Sequence, residues 1–219
     1  MSRTGWCWVV IFGSVLIAFA LDSGIQQFSQ NPALHHLFLD RFFHQVEPLG
    51  RAVPYGVCIS LVVVLGVILR DRRSLLAGIE VTLGYGSKEL IVPLVKNLFG
   101  RVRPLTTLEP YQFFTGGDSF ISGHTISIFT LAAILSLNYS HIKITLMNGR
   151  FTIKPIAIIV FLIATLVGIE RIYDNRHWAS DVVVGALAGY ALGWTMFRLG
   201  EWLRFKWAAP APTTNKTLT

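Results

Sequence analysis

The sequence consists largely of six long apolar runs joined by polar or charged segments. The runs cover residues 6–21, 52–69, 74–95, 122–137, 155–168 and 178–197. A membrane-spanning helix needs about 20 mainly apolar residues. Only 14% of the 219 residues are charged, whereas about 25% are charged in soluble domains. The sequence therefore predicts an all-α fold, a polytopic membrane helical bundle with six transmembrane helices.

The bundle is expected to form a single domain over residues 1–207. The tail over 208–219 is rich in Ala, Pro and Thr, and we expect it to be disordered. Between the first two runs, apolar residues recur at helical spacing among charged residues and histidines, at Leu34, Leu37, Phe38, Phe42 and Phe43. This pattern predicts a short interfacial helix.

Three glycines recur every fourth residue in the last run, at 185, 189 and 193. Such a ridge of small residues lets two helices approach closely in a membrane. We interpret it as a contact within the bundle rather than between copies of the chain, and the oligomeric state stays open.

The basic residues predict the orientation of the chain in the membrane. The 19 Lys and Arg residues exceed the 12 Asp and Glu residues, and the formal net charge is +7. They are scattered through the loops rather than gathered on one face, so we expect no nucleic-acid partner. Arg70, Arg72 and Arg73 follow the second run, and such a cluster is typical of the cytoplasmic side. Six spans then place both termini in the cytoplasm, and the loops after the third and fifth runs face the periplasm of a bacterial inner membrane.

Three polar motifs, each next to an apolar run, fall on the predicted periplasmic face. They are Lys-x6-Arg-Pro from Lys96 through Arg103, Ser-Gly-His at Ser122, Gly123 and His124, and Arg-x5-His-x3-Asp at Arg171, His177 and Asp181. In this order they resemble the motifs of the type 2 phosphatidic acid phosphatase (PAP2) family, K-x6-RP, PSGH and SR-x5-H-x3-D. Bacterial members of that family act on lipid phosphates.

The residue types themselves suit phosphoryl transfer. Lys96, Arg103 and Arg171 would supply fixed cations for the phosphate oxygens. If one helix continues through the first motif, Lys96 and Arg103 lie two turns apart on one face. Ser122 and Gly123 would add a hydroxyl and free N–H groups at a helix N-terminus. With three cations and no Asp/Glu cluster, we expect no metal and no cofactor.

The resemblance implies a role for each reacting group. His177 would attack phosphorus to form a phosphohistidine, Asp181 would orient His177, and His124 would protonate the leaving oxygen. If the last helix begins near Arg176, His177 and Asp181 lie on one of its faces. The implied activity is that of a metal-independent lipid phosphatase. Its candidate substrates are phosphatidylglycerol phosphate, phosphatidic acid, undecaprenyl diphosphate and lipid A.

Two positions depart from the family pattern. Ile121 replaces the proline of the second motif, and Glu170 replaces the serine that precedes Arg171. A carboxylate at 170 would oppose bound phosphate unless it points away or pairs with a cation. This substitution puts the phosphate contacts in question.

Other interpretations stay open at this point. The same phosphohistidine could pass its phosphoryl group to another lipid, or the chain could bind a lipid phosphate or transport it without catalysis. Lys88 and Glu89 could line a substrate path, or the third helix could leave the membrane early and run along the interface. Taken singly, each motif residue could also have a purely structural role.

Overall fold

The computed structural model describes residues 3–107, 109–146 and 151–208. Within these residues the chain is mainly helical. The helices are α1 (Arg3–Ser29), α2 (Leu37–Val46), a 3-10 helix (Glu47–Gly50), α3 (Ala52–Ile68), α4 (Arg72–Phe99), α5 (Gly123–Asn138), α6 (Pro155–Tyr173) and α7 (Ala179–Ala208). Apart from its first residue, the predicted tail lies outside the described residues.

The loop between α5 and α6 contains the two β-strands found among the described residues. Strand β1 (Ile144–Leu146) pairs with β2 (Phe151–Ile153) in an antiparallel hairpin, with Ile144 opposite Ile153. The fold is mainly α-helical, as predicted, and this hairpin is a small element that the prediction did not include. The two short segments consist of β-branched and bulky apolar residues, which favour extended structure.

Length and composition identify fewer membrane-spanning helices than the six that were predicted. Three segments of the described chain meet this test alone, Trp8–Ser29, Pro155–Tyr173 and Ala179–Lys206, and a fourth span results if Leu37–Gly50 and Ala52–Ile68, bent by 58°, count as one. Helix α5, with 16 residues, is about 24 Å long and shorter than the bilayer core of about 30 Å. The protein is thus a multi-pass membrane protein in which three or four spans pass this test.

The short helix α5 is the centre of the bundle. It packs most extensively on α7 and α6 and also contacts α4. Ala132, Ala133 and Ile134 in its middle are almost completely buried. A helix surrounded by other helices does not need to match the bilayer thickness itself, because its neighbours face the lipid.

The glycine ridge of α7 faces α5, as the sequence predicted. A Cβ atom added at Gly189 would lie 2.5 Å from the carbonyl oxygen of Ile126, and one at Gly193 would lie 2.6 Å from that of Thr130. The hydroxyl of Thr130 also donates to the carbonyl of Gly189 at 3.1 Å. The interpretation of the ridge as a contact within the bundle is therefore confirmed.

A buried polar cluster ties three helices together at the end of α5 remote from the three motifs. Asn138 donates to Glu80 of α4 at 2.6 Å. Arg204 of α7 donates to Glu80 at 3.1 Å and to the side-chain oxygen of Asn138 at 2.7 Å. Because each member has a partner, the cluster fixes the register of α4, α5 and α7. The arrangement of their opposite ends, which carry the motifs, depends on that register.

Candidate active site

The first motif is divided between the end of α4 and the loop that follows. Lys96 is in the last turn of the helix, which ends at Phe99 because Gly100 adopts a left-handed conformation with φ of 51°. Arg103 therefore lies in the loop, and the prediction that one helix face presents both cations is wrong. The loop folds back beside α4, since Phe114 N–H donates to the carbonyl of Phe99 at 2.7 Å.

Both cations of the first motif meet the same carboxylate, that of Asp118. Arg103 donates to its two oxygens at 2.6 Å each, and Lys96 Nζ lies 3.9 Å from one of them. Hydrogen bonding to Arg103 holds the pKa of Asp118 below its ordinary value. Lys96 and Arg103 are thus brought together by a partner that the motif does not contain.

The second motif forms the start of α5. Ser122 is the N-cap, and its hydroxyl accepts hydrogen bonds from the N–H of Thr125 at 3.4 Å and from the hydroxyl of Thr125 at 2.8 Å. The N–H of Ser122 donates to the carbonyl of Asp181 at 3.3 Å. Ser122 therefore has no free N–H, contrary to the expectation. Gly123 and His124 are the first two residues of the helix, whose N–H groups have no intrahelical acceptor.

The third motif begins inside α6, which extends to Tyr173. Arg171 is in its last turn and is almost fully buried, and it binds both carboxylate oxygens of Glu170 through Nε and one terminal nitrogen. The sequence left two ways for Glu170 to avoid opposing phosphate, to point away or to pair with a cation. The structure shows the pairing. The same terminal nitrogen of Arg171 lies 3.6 Å from Glu47 of the 3-10 helix.

His177 precedes α7, which begins at Ala179 rather than near Arg176. The two residues of the pair still meet, because Nδ1 of His177 lies 3.7 Å from Oδ2 of Asp181. That distance is an ion-pair separation and is too long for a hydrogen bond. The same carboxylate oxygen accepts the N–H of Trp178 at 3.0 Å and the hydroxyl of Ser119. Burial lowers the pKa of His177 below its ordinary value, although Asp181 acts in the opposite direction.

Arg101 and Asp22 form the buried support of this pair. Arg101 is fully buried and binds Asp181 and Ser180 of α7 through one terminal nitrogen, and Asp22 of α1 through the other at 2.7 Å. Asp22 also accepts the N–H of Ser180 at 2.8 Å. The guanidinium lies over the rings of Phe19, Phe113 and Trp178, 5.0 to 5.3 Å from their centres.

Sequence reasoning missed Arg101 and Asp22, although each carried a signal. Asp22 directly follows an apolar run, where an acidic residue needs a buried partner. Arg101 lies between Lys96 and Arg103, inside the first motif. Asp118 and Glu47 carried no comparable signal, because each lies in a polar segment where a solvated carboxylate is ordinary.

The three motifs converge on one end of the bundle. His177 is close enough to Lys96 and Arg103, and His124 close enough to Arg171 and His177, for their charges to interact. A polar cleft of about 360 Å³ opens beside them. It is lined by four arginines, one histidine and two carboxylates, Arg51, Arg103, Arg171, Arg176, His44, Glu47 and Asp174. Clustered cations beside two imidazoles form a site for an anion that can undergo acid, base or nucleophilic chemistry.

Comparison with known proteins agrees with this arrangement. The model of the PAP2 superfamily matches residues 77–205, which include all three motifs. The chain belongs to the PAP2 superfamily. Among solved structures, the fold resembles Aquifex aeolicus LpxE with a TM-score of 0.58 and 28% identity, over 81% of this chain and 95% of that one. It also resembles a PAP2-type phosphatidylglycerolphosphate phosphatase of Bacillus subtilis with a TM-score of 0.58 and 25% identity, over 90% of this chain and 96% of that one.

Curated relatives match over shorter stretches. The lipid A 1-phosphatase of Porphyromonas gingivalis is 35% identical over 49% of this chain and 19% of its own length. Phosphatidylglycerophosphatase B of Bacillus subtilis is 30% identical over 64% of each chain. The chain thus spans less than two thirds of the length of these two relatives.

The buried ion cluster makes a prediction about stability. Replacing Arg101 by Met should lower the free energy of unfolding by about 3 to 5 kcal/mol, because it leaves Asp22 and Asp181 buried without their cation. The measurement is the unfolding transition of the purified protein in detergent. The exposed Arg72 supplies the control variant Arg72→Met, whose transition should stay near that of the wild type. Equal transitions for the two variants would show that the cluster contributes little.

Proposed function

We propose that this protein is an integral membrane lipid phosphatase that hydrolyses a lipid phosphate monoester or diphosphate through a phosphohistidine intermediate. The observation that supports this most directly is the meeting of His124 and His177 with the cations Lys96, Arg103 and Arg171 at one end of the bundle. The two relatives named above are phosphatases of lipid A and of phosphatidylglycerophosphate, which supports the substrate class.

In the first step, His177 attacks phosphorus. Its Nδ1 faces Asp181, so Nε2 is the atom that forms the new bond. The lowered pKa keeps the ring neutral, and hence nucleophilic, at neutral pH. As the N–P bond forms, the bond from phosphorus to the lipid oxygen breaks, and His124 donates a proton to that oxygen.

In the second step, water hydrolyses the phosphohistidine. His124, now neutral, takes a proton from the water as its oxygen attacks phosphorus, and the N–P bond breaks. Inorganic phosphate leaves, and both histidines return to their starting protonation states. Asp181 keeps its charge throughout and stabilises the positive charge that His177 carries while it is phosphorylated.

The three cations stabilise the charge on the equatorial oxygens of the transferring phosphoryl group. Arginine is suited to two oxygens at once, and lysine acts as a point charge. Gly123 and His124 at the N-terminus of α5 add N–H donors at the positive end of a helix. We propose that these groups perform the task that metal ions perform in other phosphoryl-transfer enzymes.

We further propose that six helices, α1, α3, α4, α5, α6 and α7, cross the inner membrane, with the site on the periplasmic face and both termini in the cytoplasm. Length and composition alone do not identify α3, α4 and α5 as spans, and α3 passes only together with the segment Leu37–Gly50 before it. Two charges in α4 are paired. Glu80 binds Asn138 inside the bundle at 2.6 Å, and Lys88 pairs at 2.6 Å with the neighbouring Glu89, whose side chain is half exposed. Pairing lowers the electrostatic cost of placing these groups in a membrane.

An apolar groove supports a lipid as the substrate. It has a volume of about 190 Å³ between the 3-10 helix, α3, α5 and α6, and all the residues that line it are apolar. Ile128 and Leu131 in its wall lie four and seven residues after His124, on the same side of α5. A lipid whose phosphate occupies the cleft could therefore place an acyl chain in this groove.

The two histidines should respond differently to the leaving group. His177→Ala should abolish turnover and phosphoenzyme formation, while His124→Ala should slow hydrolysis of phosphatidic acid by roughly 100-fold to 10,000-fold. With 4-nitrophenyl phosphate, whose leaving group needs little protonation, His124→Ala should recover much of its rate of phosphoenzyme formation. The measurement is release of the leaving alcohol or 4-nitrophenol together with trapping of labelled phosphoenzyme. Equal losses on both substrates would contradict the assigned roles.

Activity should be independent of added metal ions, because Lys96, Arg103 and Arg171 neutralise the phosphate. The measurement is phosphate release before and after dialysis against EDTA. An unchanged rate is expected. A loss of activity that magnesium restores would contradict this mechanism.

Narrowing the groove should affect long substrates alone. Val160→Trp should raise the KM for a long-chain phosphatidic acid several-fold, because its side chain lies in the groove wall, and should leave the KM for 4-nitrophenyl phosphate unchanged. The control is Leu162→Trp, since Leu162 is 60% exposed on the outside of α6. If both variants change the long-chain KM equally, the groove does not hold the acyl chain.

A further inference from the structure

Glu47 is a carboxylate of the cleft that the three motifs do not account for. It begins the 3-10 helix between α2 and α3, and its side chain is 15% exposed. Its Oε1 atom lies 3.7 Å from Nε2 of His124, 3.6 Å from a terminal nitrogen of Arg171 and 2.7 Å from one of Arg51. One acidic oxygen thus faces three basic groups.

The packing of the 3-10 helix fixes the distance between Glu47 and His124. Gly50 lies against the imidazole, and a Cβ atom added there would come within 2.7 Å of Cδ2 and 2.8 Å of Cβ of His124. Only a glycine allows the backbone to approach the ring so closely. Main-chain packing at Gly50 and the hydrogen-bonded ion pair with Arg51 therefore hold the carboxylate of Glu47 beside His124.

An acid must carry a proton before it can donate one, and two properties of the surroundings of His124 oppose this: first the partial burial of the ring, and second the basic groups around it. Arg171 from α6, His177 from the loop before α7, Lys88 from α4 and Arg51 before α3 all face His124. Each of these groups, when positively charged, repels a positive charge on the imidazole of His124. In the described part of the chain, Glu47 supplies the carboxylate within 4 Å of a nitrogen of His124.

We propose that Glu47 is a positioning residue that keeps His124 in its protonated form for the transfer to the leaving oxygen. The inference rests on the proposed phosphatase function. Glu47 stays ionised and attracts the imidazolium by Coulomb interaction. The proton passes from His124 to the lipid oxygen in the first step and returns to His124 from water in the second, and Glu47 neither gains nor loses one.

The same environment assigns Arg51 the opposite effect. Arg51 binds Glu47 and also faces His124, so it weakens the attraction between carboxylate and imidazolium. Removing Glu47 should favour the neutral ring, and removing Arg51 should favour the charged ring. Damage to the 3-10 helix alone would not move the two variants in opposite directions.

The test is the pH profile of kcat for phosphatidic acid in detergent micelles, measured on the full chain. Glu47→Gln should lower the midpoint of the basic limb by about one pH unit, a tenfold change in proton affinity, and should slow turnover on the order of 10-fold at pH 8. Arg51→Gln should raise that midpoint. The control Glu109→Gln removes the same charge from an exposed loop residue and should leave the profile unchanged.

Two further measurements separate this role from a structural one. With 4-nitrophenyl phosphate, Glu47→Gln should turn over near the wild-type rate, which also shows that the variant is folded. In the His124→Ala background, Glu47→Gln should have no additional effect. If the wild type is active and the basic limb of the Glu47→Gln profile has the same midpoint, the role of Glu47 is contradicted, while the proposed function is not. A wild type that releases no phosphate from either substrate overturns the proposed function and this inference with it.

Discussion

The polar end of the bundle depends on the buried guanidinium of Arg101. It lies between two buried carboxylates, Asp22 of α1 and Asp181 of α7, and Arg101 itself belongs to the loop after α4. Two carboxylates cannot be buried together without a cation, so the three segments must assemble as a unit. Because Asp181 faces His177, the ion that joins the helices also sets the position of the proposed nucleophile. Stability and reactivity are therefore linked through one side chain.

The apolar runs predict the helices well, because burial in a membrane requires long apolar helices whatever the tertiary contacts. The predicted runs fall within the long helices to within two residues, but most helices extend further. Helix α1 continues to Ser29 and α6 to Tyr173. These extensions are polar, and contacts with other elements stabilise them, as when Tyr173 donates to Asp40 of α2 at 2.6 Å. A hydropathy pattern contains no information about such partners.

The motifs predict which residues gather at the site but not how they are held. His177 and Asp181 meet although His177 lies outside α7. The spacing therefore predicted the contact correctly, but not the helix that was expected to produce it. Lys96 and Arg103 likewise meet at Asp118 rather than along a helix. These contacts join residues between four and 22 positions apart across loops, and Arg101 reaches Asp22 across 79 positions. Side-chain partners at such separations follow from tertiary packing, which spacing rules do not describe.

Each cation proposed to bind phosphate already has a carboxylate partner, and the partners differ in how easily they can move. Asp118, on Lys96 and Arg103, has a side chain that is 60% exposed, whereas Glu170, on Arg171, is fully buried. An exposed ion pair contributes little to stability, so phosphate can replace Asp118 at small cost. Glu170 binds Nε and one terminal nitrogen of Arg171, which leaves the other terminal nitrogen for the substrate. Under the proposed function, the acidic residue that departs from the family pattern therefore orients the arginine and does not occupy the phosphate position.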